Sequence, residues 1–95
     1  RIKKISKEMF GWGSCEVFEG VRVFYNHNNL NKNSILVMIP KKAVRDASKR
    51  NSLRRKTKEV FRLNVNRDKS ADYLVKFNRF TDGFEESLRK FFKDV

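Results

Sequence analysis

From Ala43 to Asn64 neither glycine nor proline interrupts the chain, and this stretch limits the possible folds more than any other. At about 100° per residue Leu53, Thr57, Val60, Phe61 and Asn64 fall on one arc, the pattern of a helix laid against a core. Such a helix needs a partner layer, and its flanks read as strands. Between Cys15 and Tyr25, Val17, Val21 and Val23 alternate with polar residues around a break near Gly20, giving one bent strand or two short ones. Asn26 to Ser34, with five asparagines, reads as a solvated hairpin loop. The continuous apolar run Ile35 to Ile39 predicts a strand covered on both faces, which Pro40 ends.

After the long helix, Tyr73, Val75 and Phe77 mark a strand over Ala71 to Phe77. Asp82 is the expected cap of a last helix, with Glu85 as its box partner and Phe84, Leu88, Phe91 and Phe92 as its apolar stripe. At the other end, the helical spacing of Ile5, Met9 and Phe10 before Gly11 and Gly13 predicts one short helix. The expected order α, β, β, α, β, α describes a single α+β domain over residues 1–95, an α/β sandwich with helices packed as a layer on a small mixed sheet. At 95 residues there is no room for a second domain, and nine phenylalanines supply bulk for one core. Phe61, Phe77, Phe84, Phe91 and Phe92 follow core periodicity, whereas Phe10, Trp12, Phe18, Phe24 and Tyr25 fit either core or surface.

Charge narrows the function. Lys and Arg number 23 against 11 Asp and Glu, a net +12 whose self-repulsion suits a polyanionic partner, and nucleic acid is the expected one. Ten of the basic residues lie between Lys41 and Arg62, opposed only by Asp46 and Glu59. On the predicted helix Asn51, Arg55, Lys58 and Arg62 form one ridge, about 17 Å long at ~1.5 Å per residue, opposite Leu53, Val60 and Phe61. Arg forks suit phosphate oxygens, and Asn51 adds a neutral group able to reach a base edge or a 2′-hydroxyl.

Other classes fit poorly. The one histidine, His27, sits in the asparagine-rich segment, and the acidic residues are scattered or gathered at the last helix, so no catalytic or metal-binding residues are expected in the protein. A lone Cys15 makes no internal disulfide and favours a reducing compartment. No apolar run approaches the ~20 residues of a membrane span, and Arg1, Lys3, Lys4 and Lys7 read as a basic arm of the mature domain because no apolar segment follows them. The start at Arg1 instead of Met leads to the expectation that a few native residues were trimmed or processed away.

The basic segment also resembles a known signature. Lys41 and Lys42 after a buried strand, then Arg50 and Asn51, then Arg54, Arg55, Lys58, Glu59, Phe61 and Arg62 resemble, with spacing kept, the bacterial ribonuclease P protein component. The likeness extends more weakly over nearly the whole chain, through Arg1 to Lys4, Phe10 before a glycine, Phe24 and Tyr25 ending a strand, and Asp72 and Tyr73 opening another. Three residues depart from it: Ser52 stands where the family has a second signature Arg, Lys56 where it has an apolar residue, and Pro40 where it has a small polar residue or Ala.

The resemblance implies a ribonucleoprotein endonuclease in the cytoplasm whose RNA subunit removes the 5′ leader of precursor tRNA, using Mg2+ bound mainly by that RNA. The protein is then a noncatalytic subunit that binds the RNA subunit and the precursor, with no membrane and no small-molecule substrate. It also implies a left-handed strand, helix, strand crossover, against the usual preference. The RNA-binding set it indicates, together with the basic run, is Lys41, Lys42, Arg45, Lys49, Arg50, Asn51, Arg54, Arg55, Lys58 and Arg62. Phe10 and one of the adjacent pair Phe24 and Tyr25 are expected at a cleft for the single-stranded leader. Two other readings compete: a structural RNA-binding protein such as a small ribosomal protein, and a DNA-binding regulator with the long helix in a major groove.

Overall fold

The computed structural model describes residues 11–27, 32–65 and 70–94. The expected first helix around Ile5 to Phe10 lies outside them. The described elements run β1 (Gly13–Phe18), β2 (Val21–His27), β3 (Ser34–Met38), α1 (Ala47–Asn64), β4 (Ala71–Phe77) and α2 (Glu85–Asp94). They build a four-stranded mixed sheet in the order β1-β2-β4-β3. The segment expected to be one bent strand or two short ones is two, joined at Gly20, whose φ of +86° favours a residue without a side chain.

β2 and β3 do not form the expected hairpin. β4 lies between them, antiparallel to β2 and parallel to β3, so the chain crosses from β2 to β3 over a strand that is added later. Nor is the run Ile35 to Ile39 a strand covered on both faces. β3 is an edge strand, half-buried throughout, while the central, largely buried strand is β4. The apolar run arises because alternate side chains serve two clusters: Ile35 and Val37 pack towards the helices, and Leu36 and Met38 pack on the other face.

The main core joins the helix-side face of the sheet to α1 and α2. Val23, Tyr73, Val75, Phe77, Leu53, Phe84, Leu88 and Phe92 are almost wholly buried there. Aromatic rings fill it edge-on, Tyr73 and Phe61 each 5.3 Å from Phe92, and Phe77 5.1 Å from Phe84. Burial raises the pKa of the Tyr73 phenol above its ordinary value. Phe61 and Phe91, expected in the core, are only half-buried at its edge. The polar members of the α1 arc are satisfied locally: the Thr57 hydroxyl donates to the Leu53 carbonyl at 2.7 Å, and the Asn64 amide donates to the Val60 carbonyl.

Both long-helix starts differ from expectation. α1 begins at Ala47 rather than Ala43, because the Pro40 carbonyl accepts from the amides of Ala43 and Val44 in a turn and Asp46 then caps the helix, accepting from Ser48 N at 2.8 Å. Asp46→Ala should therefore cost about 1 kcal/mol of stability in a chemical melt, and an unchanged midpoint would show the cap to be dispensable. Asp82 does not cap α2. Gly83, with φ +79°, turns the chain between it and the helix, the Phe84 carbonyl accepts from Leu88 N, and Asp82 pairs instead with Lys56 at 3.6 Å. Glu85 and Glu86 occupy the first turn of α2, where negative charge is favoured.

Candidate nucleic-acid interface

α1 carries its charge opposite its core contacts. Asn51, Arg55, Lys58 and Arg62 are all exposed, and each stands two positions, about 200°, from a residue turned to the core, namely Leu53, Thr57, Val60 or Asn64. The predicted ridge is thus present as a continuous exposed row. Its charges are not equivalent. Arg62 donates to Glu59 at 2.7 Å, whereas Arg55 and Lys58 have no ion-pair partner among the described residues. Arg62 therefore offers less free charge than Arg55.

The other basic residues cluster near the start of the helix. Lys41, Lys42 and Arg45 are exposed on the turn that leads into α1, again without an ion-pair partner among the described residues. Lys49 is exposed and places its ammonium 5.1 Å from the centre of the Phe80 ring. Arg54 is half-buried on the flank of α1. Arg50 is also half-buried, and its Nη1 donates to the carbonyls of Val44 at 2.9 Å and Arg45 at 3.0 Å. This side chain straps the basic turn to the helix, a role that composition did not suggest. Lys56, where the signature has an apolar residue, finds its partner in Asp82. Nothing in the structure accounts for Ser52, which is half-buried.

The sheet face away from α1 and α2 forms a second surface. Phe24, Leu74 and Leu36 sit side by side in register across β2, β4 and β3, with Trp12 and Met38 packed against them. Two residues along the same face, Arg22 and Lys76 form a neighbouring cross-strand pair. Phe24 and Tyr25 point to opposite sides, as neighbours in a strand must, so both cannot line this face. Tyr25 lies on the helix side, where its ring meets Phe91 at 5.8 Å, so of this pair only Phe24 belongs to the face away from α1 and α2. Phe24 itself is 9% exposed, and the half-buried Trp12 acts as a lid on this smaller cluster. Phe10 lies outside the described residues.

His27 is exposed at the end of β2, its ring 6.2 Å from that of Tyr25. Among the described residues no three of His, Cys, Asp and Glu gather where they could hold a metal ion. No helix among the described residues is long and apolar enough to cross a membrane.

Comparison with known proteins agrees with the architecture. The ribonuclease P family model matches residues 13–94. No curated protein matches the chain. Two solved structures of the ribonuclease P protein from Thermotoga maritima, one in complex with 1-(4-fluorophenyl)-2-thiourea, are similar at a TM-score of 0.75 and 22% identity. The alignment covers 93% of this chain and 91% of the thiourea-bound chain, or 88% of the other. At that identity the likeness establishes the fold, a mixed four-stranded sheet with helices packed on it.

Proposed function

This chain belongs to the ribonuclease P protein family, and from that premise we propose that it binds the catalytic RNA subunit through α1 and the basic turn before it, and the 5′ leader of precursor tRNA through the opposite sheet face. The observation that carries this reading is the exposed row Asn51, Arg55, Lys58 and Arg62, continued by Lys41, Lys42 and Arg45. Cations without acidic partners release condensed counterions when they contact a phosphate backbone, which favours binding, and a row of such contacts fixes the protein's register on the RNA. Phe24 with Arg22 and Lys76 offers a narrower surface, an apolar patch beside positive charge, suited to a single strand.

In this reading the RNA performs the chemistry and holds the Mg2+ ions, and the protein contributes orientation and charge. The work takes place in the cytoplasm, where the single exposed thiol of Cys15 stays reduced. The test is single-turnover cleavage of a 5′-extended precursor tRNA by a bacterial ribonuclease P RNA at low magnesium, with and without the protein. Stimulation that falls steeply with salt is expected. Tight RNA binding without stimulation of a matched RNA would favour a structural RNA-binding role instead.

A further inference from the structure

β1 occupies one margin of the sheet, with β2 on one side of it and no strand on the other among the described residues. Gly13, Ser14, Cys15 and Glu16 are exposed along it, and the ladder with β2 is regular over these residues before it shifts between Glu16 and Phe18. An open edge of this kind presents a row of backbone donors and acceptors to another strand, and lysine or proline commonly guards it. β1 has neither. In a chain of net charge +12, residues 8–21 contain no Lys or Arg, the longest such stretch in the sequence, and both Glu16 and Glu19 lie within it. Two copies of this protein therefore meet with least repulsion along this margin.

Glu16 stands across from Arg22 in the β1-β2 ladder, yet Arg22 Nη1 donates to Ser14 Oγ at 3.1 Å, and Glu16 has no ion-pair partner among the described residues. We propose that two copies of this chain pair through β1, antiparallel about a two-fold axis at Cys15, so that one sheet runs through both. Side chains of paired strands share a face only when such an axis passes through a residue, which leaves Ser14, Cys15 or Glu16. An axis at Ser14 brings two Arg22 guanidinium groups together, and one at Glu16 brings two carboxylates together. With the axis at Cys15, Glu16 of the second copy lies opposite Ser14 at about 5 Å, on the face where Arg22 already lies, and each Arg22 gains a carboxylate. The pairing uses no residue of α1 or of the turn before it.

Sedimentation equilibrium of the RNA-free protein tests this in ~0.3 M salt, where charges more than ~8 Å apart are largely screened. So short an interface predicts a monomer-dimer equilibrium with a Kd of about 0.1 mM, and the axis leaves no second β1 edge for larger species. Glu16→Arg or Arg22→Glu alone should weaken the dimer about tenfold, and the two together should recover it, thermal melts confirming that each variant is folded. A second readout needs no variant. The two Cys15 thiols face each other within disulfide reach, so copper-phenanthroline with dioxygen should oxidise them to one disulfide, and the single cysteine of the chain makes the linked dimer diagnostic of the axis. A monomer at ~1 mM, a dimer indifferent to the single charge reversals, no recovery in the folded double variant, or a wild-type dimer that the oxidant leaves unlinked would each overturn the proposal. None of these outcomes touches the subunit reading, which the cleavage assay decides separately.

Discussion

Phe92→Ala is expected to destabilise the protein by about 3–5 kcal/mol, the range for emptying a buried aromatic site. Phe92 has no exposed surface, and its ring meets Phe61, Tyr73 and Phe91 edge-on at 5.3, 5.3 and 5.7 Å. Removing it opens a void where α1, α2 and β4 converge, and three rings cannot collapse into the space without leaving their edge-to-face geometry. A domain of this size has roughly 5–15 kcal/mol in total, so the variant should melt about 15–30 °C lower. Phe91→Ala, at the edge of the same cluster, should cost less because its side chain is half-exposed. Thermal melts of the two variants measure this directly, and equal losses would contradict the burial difference.

That core was largely legible from spacing. Leu88 and Phe92, or Leu53 and Thr57, recur one helical turn apart, and the periodicity of a helix is a local property of the chain. Strand pairing is not local. Nothing in Ile35 to Ile39 distinguishes an apolar edge strand with two half-covered faces from a buried central one, and nothing in Asn26 to Ser34 announces that β4 will enter between β2 and β3. The ridge on α1 was readable for the same reason as the core stripe. Its ion pairing was not, because whether Glu59 engages Arg62 or Lys56 reaches Asp82 depends on side-chain reach in the folded state. Arg50 looked like one more cation, although two backbone carbonyls hold it. The exposure of Phe80 carried a faint signal: a lone aromatic among Asn78, Arg79, Thr81, Asp82 and Gly83 is in a turn-rich segment that cannot bury it by periodicity.

The pairing differences on α1 predict an unequal response to charge removal. Arg55→Ala with Lys58→Ala should reduce the slope of log K against log salt for the RNA subunit by about two, since each neutralised phosphate contributes ~0.9. If the electrostatic contribution vanishes near ~1 M salt, that slope change corresponds to about 60-fold weaker binding at ~0.1 M. The fold should be little affected, because both side chains are exposed and neither is tied to a carboxylate among the described residues. Arg62→Ala should lower the slope by less than Arg55→Ala, because Glu59 already neutralises part of its charge. Glu59→Gln should raise the slope, since it releases Arg62 to the phosphates at the cost of an exposed pair worth little to stability. Filter-binding titrations from low to moderate salt give the slopes, and an Arg62→Ala change as large as that of Arg55→Ala would mean that the ion pair breaks on binding. An unchanged slope in the double variant would remove this ridge from the contact altogether, leaving the turn carrying Lys41, Lys42 and Arg45 as the place where the RNA subunit docks.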